Sequence, residues 1–258
     1  MEIREPVESV KGFLVIDPET QPNILALWSA PRSRSTAFFR MMCERGDFQV
    51  LHEPFSYLAE FGEVEVGGAR LRSERELLAA LRETGEAGPL FFKDTTDERY
   101  AGVLADERFL AHDAVHTFII RHPRETIASY YAVNPGVKCH QIGFEAQYEI
   151  FEAVSRSTGR KPVVIDGNDL AEKPAATVRA YTEAVSIPYL ENALNWRPES
   201  REEWRPSERW HSDASTSSGF AARTRTDYVD VETHPVLSGY LEHHLPFYER
   251  LHAHRLAV

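Results

Sequence analysis

Between Ser29 and Phe39 the chain reads SAPRSRSTAFF, with two arginines and four hydroxyl side chains in eight positions and neither glycine nor lysine. A strand-like apolar segment, Ile24–Trp28, leads in, and a helix-like one leads out. A strand, a short polar turn and a helix start present backbone N–H groups and a helix N-terminus to an anion. Arg32 and Arg34 add fixed positive charge, while Ser33, Ser35 and Thr36 add hydroxyl donors. Such a turn suits a phosphate-like group. It is not a Walker A loop, whose glycines wrap the phosphates and whose Lys reaches the outer ones, and this counts against a P-loop-type nucleotide kinase. The bland reading is an Arg/Ser-rich helix start making ordinary caps.

A second motif weighs against the bland reading. Val115–Ile120 (VHTFII) reads as a buried strand of a parallel sheet, β-branched and apolar. It ends in Arg121-His122-Pro123-Arg124, with Pro123 placed to open a helix. Together the two motifs resemble those of sulfotransferases that use 3′-phosphoadenosine 5′-phosphosulfate (PAPS). Pro31-Arg32-Ser33-x-Ser35-Thr36 is similar to that family's phosphosulfate loop, P-[KR]-S-G-[ST]-T, and departs from it at Arg34, where Gly is usual. Arg121 and Ser129, eight residues apart, match the pair with which the family holds the 3′-phosphate. A guanidinium grips phosphate oxygens in bidentate fashion and a hydroxyl adds a donor. Asn168-Asp169-Leu170 with Pro174 is a weaker trace of the family's Y-E-D-L segment. Gly167 stands in its Tyr place, and Ala37 where cytosolic members carry a Trp, so the resemblance leaves the adenine contacts open. Ser217-Ser218-Gly219-Phe220 resembles a small-residue turn of related bacterial proteins. Either Arg223 and Arg225 or the Ser217 and Ser218 hydroxyls are candidates to close over the 3′-phosphate, as a late basic loop does in cytosolic members.

The resemblance implies a three-layer α/β/α fold of the P-loop-like sulfotransferase type, with a mainly parallel sheet. It also implies transfer of a sulfuryl group from PAPS to a hydroxyl or amino group of a small-molecule acceptor, releasing PAP, with no metal. By analogy with phosphoryl transfer, such a reaction needs cations and donors at the departing phosphate oxygen and a base for the acceptor proton. Arg32 is the first choice of cation, and Lys93 (LFFKD) resembles the Lys of the family's K-T-H motif. The His of that motif is missing, because the run here is Lys93-Asp94-Thr95. Glu53 is the preferred replacement base, followed by His52 and Asp94. The missing His keeps a second reading open, a divergent PAP- or PAPS-binding protein without transfer activity.

The elements that must position these residues alternate. Strands are expected at Ile24–Trp28, Phe48–Leu51, Leu90–Lys93, Val115–Ile120 and Val163–Ile165. Helices are expected at Ser35–Glu44, Ser73–Arg82, Pro123–Ala132, Phe144–Ser155, Pro174–Val185 and Pro235–Leu251. The alternation predicts a mainly parallel sheet covered on both faces. Phe61–Arg72 (FGEVEVGGARLR), Gly-bearing and charged, reads as a loop in preference to a substrate-side flap. At 258 residues and 42% hydrophobic content the chain supports one α/β core, hence a single domain over 1–258.

A net charge of −11 speaks against nucleic acid or a polyanionic acceptor and favours a small neutral or cationic one. Cys43 and Cys139 give no disulfide framework. No apolar run approaches membrane-spanning length, and Met1–Pro22 lacks the pattern of a signal peptide. The expectation is therefore a cytoplasmic protein without a membrane partner; homodimerisation stays open. Asn195–Thr226 holds three tryptophans, and its arginines at 197, 201, 205 and 209 form a helical stripe. The stripe itself reads as a solvated face, and the segment as a lid over the cofactor. Eleven histidines, among them His243-His244 and His252-x-His254, occur without H-E-x-x-H or paired-Cys spacing, so no metal site is expected.

Overall fold

The computed structural model describes residues 23–199, 215–220 and 228–258. In chain order it begins β1 (Ile24–Ser29), α1 (Ser35–Arg45), β2 (Gln49–His52), α2 (Pro54–Phe61), β3 (Val64–Val66) and β4 (Ala69–Leu71). There follow α3 (Glu74–Ala87), β5 (Leu90–Thr95), α4 (Ala101–Ala105), β6 (Val115–Ile120) and α5 (Pro123–Val133). The last elements are α6 (Phe144–Thr158), β7 (Val163–Asp166), α7 (Gly167–Glu172), α8 (Pro174–Ala184) and α9 (Leu237–His252). The five expected strands and six expected helices are present, with ends that differ by a few residues.

Five strands form one parallel sheet in the order β2-β5-β1-β6-β7. Central β1 is buried on both sides, and alternation along it feeds two cores. Ile24, Ala26 and Trp28 join a cluster with Phe55, Leu77, Leu81, Ile127, Phe151 and Leu251. Leu25 and Leu27 join another with Phe38, Phe39, Met42, Leu170, Val178 and Tyr181. Thus α1, α7 and α8 cover one face, and α2, α3, α5, α6 and α9 the other. This is the three-layer α/β/α arrangement, built because each strand is apolar on both faces.

Chain direction reverses at the centre of the sheet. From β1 the chain runs toward the β2 edge, and from β6 toward the β7 edge. The carboxyl ends of β1 and β6 therefore flank the topological switch point, where open α/β sheets take ligands. Buried Gln147 of α6 ties the two strands there, donating to the carbonyls of Trp28 (3.0 Å) and Ile119 (2.9 Å).

One expectation needs correction. Phe61–Arg72 contains an antiparallel hairpin of β3 and β4, not a loop. Its connection is Gly67-Gly68, both at positive φ (59° and 81°), which is the backbone a tight two-residue hairpin demands. Met1–Pro22, Trp204, Trp210, Arg201, Arg205, Arg209, Arg223 and Arg225 lie outside the described residues. No helix among the described residues is long and apolar enough to cross a membrane.

Candidate active site

The turn after β1 is held by its neighbours. Thr96 donates its N–H (3.0 Å) and hydroxyl (3.2 Å) to the Ser29 carbonyl, and Ser29 Oγ donates to Ser35 Oγ at 2.9 Å. Ser35 is thereby turned inward, while Thr36 stays half-buried at the start of α1. Ser33 is fully buried, and its Oγ has no hydrogen-bond partner among the described residues. Arg32 and Arg34 adopt left-handed backbone, φ 67° and 70°. That conformation costs a non-glycine residue about 1–2 kcal/mol. The family's Gly at position 34 is thus answered here by an arginine forced into glycine's backbone region.

The switch point brings the second motif to the first. Arg32 Nε donates to Ser129 Oγ at 3.1 Å, and Arg121 Nη1 donates to the Arg32 carbonyl at 3.4 Å. Arg34 runs toward the start of α7, its Cδ 3.6 Å from where a Cβ on Gly167 would lie. Burial, and then the nearby charge of Arg121, lower the Arg34 pKa; Glu125, Asp166 and Glu172 oppose the shift. Three arginines thus converge on one crevice. Glu125 partly balances them, accepting from Arg121 Nε (3.1 Å) and Asn168 Nδ2 (3.0 Å). Burial pushes the Glu125 carboxyl up, but the Asn168 hydrogen bond and Arg121 outweigh it and hold it below the usual range.

A second cluster lies at the ends of β2 and β5. Buried Lys93 is ion-paired with Glu53, whose own N–H donates to the Lys93 carbonyl at 2.7 Å. Glu53 is another residue in left-handed backbone (φ 48°), just before Pro54 opens α2. Asp94 is fully buried and accepts four hydrogen bonds: Phe55 N–H (2.7 Å), Ser56 N–H (3.1 Å), Ser56 Oγ (2.5 Å) and its neighbour Thr95 N–H (2.9 Å). It caps α2 from another strand. Burial pushes it up to about 8, against the pull of Ser56. His52 is buried, with Nδ1 2.7 Å from the Tyr57 hydroxyl and its ring against Phe39. Burial, then Lys93, holds it well below the ordinary imidazole range. Of the three candidate bases Glu53 has the most exposed surface, at 8% against 5% for His52 and 0% for Asp94.

A family model described as a sulfotransferase domain matches residues 23–255. The chain belongs to the sulfotransferase family. A crystal structure of a sulfotransferase from Alicyclobacillus acidocaldarius superposes with a TM-score of 0.51 over 92% of this chain and 98% of that one, at 14% identity, a likeness of fold. Two Arabidopsis thaliana proteins named branched-chain-amino-acid aminotransferase-like protein 2 and protein 1 are 27% and 26% identical to it. They match 90% and 91% of this chain, which spans 42% of the length of each.

The remaining predicted residues lie elsewhere in the fold. Ser217 Oγ accepts from the Trp196 indole at 3.1 Å, the Ser218 carbonyl accepts from Trp196 N–H at 3.2 Å, and Gly219 pairs with Asn195. The described contacts of Ser217–Gly219 thus tie them to Asn195 and Trp196, at the start of the segment. Gly167, in the family's Tyr place, packs so closely that a Cβ would sit 2.7 Å from the Ser33 carbonyl oxygen and 3.2 Å from that of Ile120. No tyrosine fits there. Sequence reasoning missed Glu125, Asn168 and Tyr228, whose hydroxyl donates to Ser129 Oγ at 3.3 Å. Glu125 carried one signal, its i,i+4 spacing from Arg121; Tyr228 carried none.

Proposed function

We propose that this sulfotransferase takes PAPS as donor and a small hydroxyl- or amine-bearing molecule as acceptor. The observation that supports this most is the convergence of Arg32, Arg34 and Arg121 on the switch-point crevice. The site fits a doubly anionic nucleotide end: among the described residues buried Ser33 Oγ lacks a partner, α1 starts at the turn, and Arg34 and Arg121 share the neighbourhood of one carboxylate, Glu125. Arg32, Ser33, Ser35 and Thr36 would hold the 5′-phosphosulfate end, and Arg121 with Ser129 the 3′-phosphate. Arg34, lying with Arg121 and Glu125, goes with the 3′-phosphate rather than with the sulfuryl group or solvent. Bound donor supplies the activated sulfuryl group. The chain's own residues then do three things. Arg32 and the α1 N-terminus stabilise negative charge on the bridging phosphate oxygen. Lys93 holds Glu53 in place through their ion pair. Glu53 accepts the proton of the acceptor hydroxyl or amine. The overall charge of −11 favours a neutral or cationic acceptor.

The lead test is a melting experiment with PAP and with ATP–Mg²⁺. A shift with PAP and none with ATP–Mg²⁺ supports this reading, and no shift with PAP sinks it. The burial of His52 and the hydrogen bonds of Asp94 to α2 favour Glu53 as the base, and a binding protein without turnover is the second reading. A PAP shift with no product over a panel of phenols, alcohols and amines would favour that reading.

A further inference from the structure

Sequence spacing argues against a metal on the last helix, yet folding adds a third residue from far along the chain. Cys139 opens a short turn, Cys139–Ile142, that lies against the middle of α9. One ligand atom each from Cys139, His243 and His244 lies within 4.8 Å of the other two. His244 is fully buried, with Nε2 2.7 Å from the Cys139 carbonyl oxygen and 3.7 Å from its Sγ. Its Nδ1 has no hydrogen-bond partner among the described residues. His243, more exposed, points Nε2 at Glu145 Oε2, 2.9 Å away. Ligating histidines characteristically give one ring nitrogen to a carbonyl or carboxylate, which sets the tautomer and leaves the other for the metal. Nε2 of His244 faces the Cys139 carbonyl and Nε2 of His243 faces Glu145, which leaves Nδ1 of each ring to turn to the ion, and a buried orphan nitrogen otherwise costs stability.

We propose that Cys139, His243 and His244 bind a zinc ion, with water completing a tetrahedral site. One thiolate and two imidazoles suit Zn²⁺ and not the oxygen-seeking Mg²⁺ or Ca²⁺. Ligands ~2.0–2.3 Å from a tetrahedral ion lie ~3.3–3.8 Å apart, so the three side chains close in by about 1 Å. Binding replaces the S–H bond of Cys139 by an S–Zn bond and releases the proton to solvent; no electrons are transferred. The ion would pin α9 to the 139–143 turn. That turn backs the anion loop: a Cβ on Gly143 would lie 2.9 Å from Pro31 Cδ, and Thr96 Oγ1 donates to the Gly143 carbonyl at 2.9 Å. The role is structural and independent of donor binding.

The test uses tag-free full-length protein titrated with Co²⁺, followed by displacement with Zn²⁺. A thiolate-to-metal charge-transfer band at one equivalent is expected in the wild type and in Cys43→Ser. Cys139→Ser should abolish the band while keeping its PAP response. His243→Ala, at an exposed position, should weaken binding at least about tenfold, the smallest loss an outer-shell partner produces. A wild type without the band, or a Cys139→Ser protein that retains wild-type affinity, overturns the proposal.

Discussion

Glu53 and Lys93 are inseparable at the residue scale, because each is the other's partner in a buried pair. Glu53→Gln is expected to lower kcat about 10²–10⁴-fold, the range of a general base, with PAP affinity unchanged. It should also leave Lys93 buried as an unpaired cation, which costs about 3–5 kcal/mol. Adding Lys93→Met should restore melting but not turnover, and recovery of both would remove Glu53 from the mechanism. On the anion side, Arg121 gives its guanidinium to the crevice. Arg121→Ala should weaken PAP binding by roughly 10- to 150-fold, the worth of hydrogen bonds to a charged group. Arg121→Lys should recover part of it, since an ammonium lacks the planar fork. Calorimetric titration with PAP reads both.

Backbone strain marks the site at the scale of elements. Among the described residues four non-glycines have positive φ, and three of them, Arg32, Arg34 and Glu53, sit at strand-to-helix turns of the site. Strain of this kind persists where surrounding structure over-determines it, and it clusters at ligand clamps. Arg34→Gly therefore separates backbone from charge. It should hold or raise the melting temperature, because glycine accepts left-handed backbone, while PAP binding weakens. A variant that binds PAP as well as the wild type would show that Arg34 serves conformation alone. Gly167→Ala tests the opposing wall. Its Cβ meets backbone oxygens of Ser33 and Ile120, neither of which can swing aside, so the loop must move. Loss of PAP affinity with retained cooperative melting is expected. The Arg32–Arg34 turn was legible as a candidate anion motif and Glu53 as a candidate base, but their strain was not: residue types report which backbone is easy, and the strain shows only once the turns are seen.

Carboxylates gathered by the fold bear on the whole molecule. Asp97 follows β5, accepts from Thr95 Oγ1 at 2.8 Å, and is pushed up to about 6 by burial, with Glu53 adding to the shift. A carboxyl whose folded pKa is raised favours the folded state at low pH. That contribution is lost as pH rises from the ordinary value of 3.8 through about 6. Asp97→Asn should accordingly stabilise the protein at neutral pH, by at most about 3 kcal/mol, and change little near about pH 4. Melting curves across that range decide it, and an equal effect at both ends would refute the assignment.

Much of the architecture could be read along the chain, because strand and helix are written in local apolar period and in Pro and Gly punctuation. Val115–Ile120 and Pro123–Val133 are both set that way. The two proposed anion motifs were likewise local words, Arg32 to Thr36 and Arg121 with Ser129. What tertiary structure alone decided was convergence. Strand order put the β1 and β6 turns side by side, so that Arg32 reaches Ser129 across 97 positions of chain. It turned Asp94 inward to cap α2, paired Lys93 with Glu53, and drew Cys139 to the histidines of α9. Sequence carries periodicity and residue chemistry; which distant groups share a dielectric and a hydrogen bond follows from packing.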